Sequence, residues 1–138
     1  MAATALLKLA GFFNDLRYVD LIHKSLAQMQ GMMSEYPLGF GQCLQAQSHP
    51  LSKQWEIVIV GDPDSAEAQA LLSVVRDGYR PFQVAALGAP DRDMAVLLLG
   101  NRGPVDGHAA AYVCRALSCQ ASVAEPQELG TTWSSADG

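Results

Sequence analysis

Apolar residues recur at two different spacings in this chain, and the change comes near residue 50. From Ala2 to Phe13, the residues Leu6, Leu7, Leu9, Ala10 and Phe13 are apolar on more than one face, the pattern of a helix buried on most sides. Gly11 weakens its last turn, and Asn14-Asp15 offer a cap for a second helix. From about Leu16 to Ser34, Val19, Ile22, Leu26, Met29 and Met33 fall at three- and four-residue steps. Arg17, Asp20, Lys24 and Gln28 fall mostly on the opposite, solvated side. A helical hairpin follows. Pro37 restarts the chain, and Leu38 to Ser48 reads as a third, shorter helix, weakened by Gly39 and Gly41 and ended by His49-Pro50.

After residue 50 the rhythm shortens. Trp55-Glu56-Ile57-Val58-Ile59-Val60 is an apolar, β-branched run closed by Gly61-Asp62-Pro63, which predicts a fully buried strand ending in a turn. Pro63 suits a first helical turn, and Asp64 with Glu67 three residues on has the form of a capping box. Ala68, Leu71, Leu72 and Val75 give that helix its stripe, and Gly78 is available for a left-handed stop. Pro81 to Leu87 reads as a second strand. Strand, helix and strand over this length predict a βαβ unit with parallel strands. Val96 to Leu99 fits a strand or a short helix equally. Ala109 to Cys114 is a third strand, Ser122-Val123 pairs nearby after a bend, and Pro126 to Leu129 makes a final helical turn.

The predicted class is therefore α/β: an N-terminal helical hairpin plus a short helix packed on a small, mostly parallel sheet containing a βαβ unit. The 138 residues suit a single domain, with a helical part over 1–50, a small α/β part over 55–130 and a flexible tail over 131–138.

Composition narrows the function classes. With 49% hydrophobic and 17% charged residues the chain is more apolar than most globular domains, which argues for order and for some surface reserved for a partner. Net charge is -5 and the nine Lys and Arg are scattered singly, so no basic patch for a nucleic acid or an anionic membrane surface is visible. Met1 to Phe13 lacks the charged start of a signal peptide, and no stretch reaches the about 20 apolar residues that span a bilayer. A cytoplasmic protein is expected. Three cysteines make no disulfide framework, so reduced thiols are the starting expectation.

One pattern carries a family resemblance. Ala111-Tyr112-Val113-Cys114, then Cys119, then Glu125-Pro126-Gln127-Glu128-Leu129 resembles the extreme C-terminus of the thioredoxin-domain-containing proteins related to spermatogenesis-associated protein 20. Ala2 to Leu9 followed by Tyr18 resembles a late hairpin of their helical toroid, and Trp55 to Gly61 the strand after it. The resemblance implies that this chain corresponds to the end of a larger protein. Such a protein joins a thioredoxin-like domain to a toroid of the six-hairpin type. Members usually carry a proline about three residues after the second cysteine, where this chain has Ser122. Neither the thioredoxin-like domain nor most of the toroid is present in this sequence, so activity housed there does not transfer to these residues.

Candidate chemistry is sparse. Cys114 and Cys119 are the sharpest pair: structural thiols are the expectation, with a small disulfide, a redox pair and a weak metal site as the other readings. A tetrahedral metal would need two more ligands, and His108 is the only imidazole near them in sequence, so no metal and no cofactor are expected. Gly61, Asp62 and Asp64 lie where open α/β sheets bind ligands, yet Pro63 removes a backbone donor and two carboxylates repel an anion, which favours a plain helix cap. Asp91, Asp93 and Asp106 match no calcium loop. His23 and His49 have no companion nucleophile, so no catalytic residue is assigned. The leading expectation is a non-catalytic structural or interaction module. It should dimerise through the N-terminal helices using Leu6, Phe13, Val19, Ile22, Leu26 and Met29, with Met32 and Met33 nearby. A small thiol-redox protein or sensor and a ligand-binding α/β module are the rivals.

Overall fold

The computed structural model describes residues 2–49, 54–89, 97–115, 118–120 and 122–136. The chain divides into two compact units, Met1–Lys53 and Gln54–Gly138.

The first unit is helical. Helix α1 (Ala2–Phe13) stops where Asn14 adopts a left-handed conformation (φ 49°), which asparagine tolerates better than most residues. The Asp15 N–H then donates to the Ala10 carbonyl at 3.3 Å, closing the last turn of α1. The same Asp15 starts α2 (Leu16–Glu35): its carboxylate accepts from the Arg17 backbone N–H at 3.0 Å. One Asn-Asp pair thus ends one helix and caps the next; the cap is the one expected from the sequence, while the left-handed stop at Asn14 is an addition to it. The third helix splits. A 3-10 turn over Pro37–Phe40 precedes α3 (Gly41–Ser48), and the change of pitch falls between the two glycines that weaken this stretch. Leu7 from α1, Ile22 and Leu26 from α2 and Ala46 from α3 form the core, with Ala3, Leu6 and Cys43 packed at its margin.

The second unit is built on β1 (Trp55–Val60), followed by α4 (Ala66–Arg76), β2 (Gln83–Gly88), β3 (Ala110–Arg115), β4 (Ser118–Cys119) and α5 (Pro126–Ala136). Strand order is β2-β1-β3-β4. The pair β1–β2 is parallel, running from Trp55 opposite Gln83 to Val60 opposite Gly88, so the βαβ unit is present. The sheet as a whole is mixed and not mostly parallel: β3 runs antiparallel to β1, and β4 antiparallel to β3. Instead of a second crossover helix, the described part of the β2–β3 connection holds a 3-10 turn at Leu97–Leu99 and a tight hairpin. In that hairpin Val105 and His108 exchange both backbone hydrogen bonds across Asp106 (φ 51°) and Gly107 (φ 84°). Two left-handed residues in sequence are what a type I′ turn requires, and Asp-Gly supplies them.

Ile57 and Ile59 of β1 face Ala68, Leu71 and Val75 of α4, Leu129 of α5 and Ala111 and Val113 of β3. Val58 and Val60, which alternate with them, are also fully buried. A strand covered on both faces explains the unbroken apolar run. Val123 bridges Ala111 with hydrogen bonds of 2.7 and 2.9 Å, the pairing expected after the bend.

Two local expectations are corrected. The cap of α4 is Ser65 and not Asp64: its Oγ accepts from the Ala68 N–H at 3.2 Å and donates to the Asp62 carbonyl at 2.8 Å. The flexible tail expected from Thr131 is helix as far as Ala136, because Leu129 anchors α5 in the core and the Thr131 hydroxyl donates to the Glu128 carbonyl at 2.9 Å. In the stretch that fits strand or helix, Leu97–Leu99 is 3-10, while residues 90–96, with Asp91 and Asp93, lie outside the described residues. No helix among the described residues is long and apolar enough to cross a membrane.

Candidate functional site

Three chain segments converge at the carboxyl end of β1. The turn Gly61 to Ser65 leaves the strand, α4 begins beside it, and the Asp106-Gly107 hairpin brings in His108 and Ala109, which lead into β3. Gly61 is needed for closeness: a Cβ there would meet the Ala109 Cβ at 2.7 Å and its Cα at 3.1 Å. Because Ser65 takes the capping role, Glu67 is released from it and reaches across to β3. Its Oε1 lies 2.9 Å from His108 Nδ1, and its Oε2 accepts from the Ala109 N–H at 3.2 Å. The hydrogen bond from His108 holds the Glu67 carboxyl below its ordinary value, and the same bond, with the carboxylate charge, raises the His108 imidazole.

Hollows of about 550 and 610 Å³ flank this pair, and Glu67 and Ala109 line both. Gly61, Asp62 and Asp64, the turn singled out in the sequence, line the larger one. Within the turn the Asp62 carboxylate accepts from the Asp64 N–H at 3.1 Å, so it is a self-bonded turn first. The pair can store or pass a proton, and the acidic rim disfavours anions. Among the described residues lining the same hollow, the hydroxyl of Ser65 is engaged on both sides as a helix cap. Among the described residues no three His, Cys, Asp or Glu side chains group as metal ligands.

A second site lies at the other end of β3. The β3–β4 register sets Cys114 opposite Cys119, with their Cα atoms 3.9 Å apart, and the two are joined as a disulfide. The starting expectation of reduced thiols is thereby corrected; antiparallel pairing across a short hairpin brings the sulfurs together, and a five-residue spacing does not reveal that register. Cys114 is wholly buried, while Cys119 is exposed. Arg102, which no sequence pattern marks, donates from Nη2 to Cys119 Sγ at 3.0 Å and to Cys114 Sγ at 3.6 Å. Its Nη1 donates to the carbonyls of Leu98 and Gly100. His108 stands roughly 20 Å away along the strand from Cys114 and serves Glu67 instead.

The residues expected at a dimer interface separate into two groups. Ile22 (1% exposed) and Leu26 (6%) lie inside the helical core, so they are not open to a second copy; α3 covers the stripe that the hairpin alone would leave bare. Leu6, Val19 and Met29 are half-buried, and Phe13 is exposed. Leu16, Leu21, Met32 and Leu38 are exposed as well, whereas Met33 is buried. His23 is exposed on α2. His49 is buried, and burial, followed by the charge of Lys8, pushes its imidazole below the ordinary value.

Comparison with known proteins gives a distant homology over most of the chain. It is similar to spermatogenesis-associated protein 20 of Homo sapiens, with 28% identity over 133 residues, covering 94% of this chain and 17% of that protein. The protein of the same description from Rattus norvegicus matches to the same extent. The chain thus spans less than a fifth of the length of the curated relatives it matches. No protein-family model and no solved structure matches it.

Proposed function

We propose that this chain is a non-catalytic structural and interaction module of a longer protein, in which its helical unit docks on neighbouring helical hairpins of a toroid. The observation that carries this reading is where the exposed large apolar side chains lie. Leu9, Phe13, Leu16, Leu21, Met32, Tyr36, Leu38 and Leu44 all belong to the helical unit, and among the described residues only Tyr79 lies outside it. A unit of this size cannot bury all its apolar residues in its own core, and scattered exposed leucines become a docking surface when they gather on one small unit. The distant relationship to proteins of much greater length supports the same reading.

In isolation the same surface is covered by a second copy, through Phe13, Leu16 and Leu21 rather than through the buried Ile22 and Leu26. Light scattering over a concentration series tests this. A dimer that becomes monomeric in the Leu16→Glu, Leu21→Glu double variant, with unchanged helical content, is the expected result. A concentration-independent monomer for the unaltered chain overturns it.

A further inference from the structure

We infer that Cys114 and Cys119 form a reducible pair that exchanges electrons with a dithiol, and that Arg102 is its positioning residue. This rests on the sheet end of β3 alone and is independent of how the helical unit docks.

Three observations carry it. First, access is one-sided: Cys119 is exposed and Cys114 is buried, so an incoming thiol meets one sulfur only. Second, the Arg102 guanidinium is fixed against two carbonyls and two sulfurs, all uncharged. The ion pairs among the described residues are Arg17–Asp15 and His108–Glu67, and neither involves Arg102. Among the described residues, no anion answers this half-buried cation set on a neutral disulfide. Breaking the bond creates one, because the reactive form of cysteine is the thiolate and adjacent arginine favours it. Third, the segment bearing Arg102 is tied to the strand that bears Cys114. The hydroxyl of Tyr112, two residues earlier on the same face of β3, donates to the Gly103 carbonyl at 2.7 Å.

The exchange proceeds in two displacements. A thiolate of the incoming dithiol attacks Cys119 Sγ; a bond forms between them, the Cys114–Cys119 bond breaks, and its electron pair leaves on Cys114 Sγ, 3.6 Å from Arg102 Nη2 in the oxidised form. The second thiolate of the dithiol then attacks its own partner sulfur in the mixed disulfide and releases Cys119 as a thiolate beside the same guanidinium. The dithiol is oxidised to a cyclic disulfide, and the pair gains two electrons and the two protons the dithiol gave up. The reverse sequence oxidises a dithiol.

The test uses the full chain, with dithiothreitol as the probe dithiol and mass counting after alkylation. Of the three cysteines, Cys43 is free, so the oxidised chain takes one adduct and the reduced chain three. Reduction is expected under native conditions. Arg102→Gln should slow it about threefold to tenfold near neutral pH, because a lower leaving-thiol pKa speeds departure, and Arg102→Lys should restore part of the rate. The ratio of the two rates should hold as pH rises, because both variants meet the same attacking thiolate and the leaving sulfur departs as a thiolate at every pH. A purely structural clamp gives the opposite sign, since loosening the hairpin would speed reduction. Reduction that occurs only in urea, or an Arg102→Gln rate equal to or above that of the unaltered chain, overturns the inference. Far-UV circular dichroism confirms that each variant is folded.

Discussion

The helical unit and the α/β unit distribute similar apolar residues in opposite ways. In the first, a small core of Leu7, Ile22, Leu26 and Ala46 coexists with Leu16 at 75% and Leu38 at 101% exposure. In the second, Ile57, Val58, Ile59, Val60, Leu71 and Val113 are at 0–1%. A sheet buries residues of its central strand on both faces, whereas three helices have only one shared interior. The difference shows that an abundance of apolar residues is not itself a core; topology decides how many can be covered.

The sharpest way to break this comparison is to cut one side chain in each core. Ile59→Ala should cost about 2–5 kcal/mol, and Ile22→Ala should fall at the lower end of that range because a small core relaxes more easily. Both tryptophans, Trp55 and Trp133, belong to the α/β unit, so fluorescence follows that unit while circular dichroism is weighted to helix. Ile59→Ala should move the fluorescence transition in urea. Ile22→Ala should move the dichroism transition more than the fluorescence one, and equal shifts in both would show that the units unfold as one.

A smaller effect probes how tightly the second unit closes. Gly61→Ala forces its Cβ onto Ala109 and should cost about 1–3 kcal/mol as β1 and β3 shift apart. Urea denaturation checks this, and a neutral result would mean that the cleft end of the sheet is slack. The smallest effect is on pH dependence. His108 is raised, so its contribution is complete below the ordinary imidazole value of 6.5 and is lost as pH rises through the raised one. Glu67 is lowered, so its contribution is present above its ordinary 4.5 and is lost as pH falls. Their pairing therefore stabilises most between those two values. His108→Asn should flatten a shallow stability maximum there, measured by thermal midpoints across pH, and an unchanged profile would remove the pair from consideration.

Elements defined by local chemistry were legible in the sequence. The Asn14-Asp15 junction, the buried β1 run and Gly78 (φ 82°) depend on neighbours a few residues apart, and the βαβ unit on the order of three such local elements. What depends on distant pairing was not. The direction of β3 turns on an Asp-Gly hairpin beyond the second strand, and the reach of Glu67 to His108 crosses from helix to strand. The disulfide follows from register, and Arg102 from the path of a loop. The buried positions of Ile22 and Leu26 were misread for a related reason: a helical stripe shows that a face is covered without showing by what.

Strand β1 also imposes an order of events on folding. It lies at the centre of the sheet, yet both strands that flank it come later in the chain. Until β2 and β3 have been made, Ile57 to Val60 is an uncharged, β-branched segment with both edges unpaired, the kind that associates with its own copies. The arrival of β3 from far along the chain is thus expected to be slow, and conditions that delay it should favour aggregation seeded at this one strand.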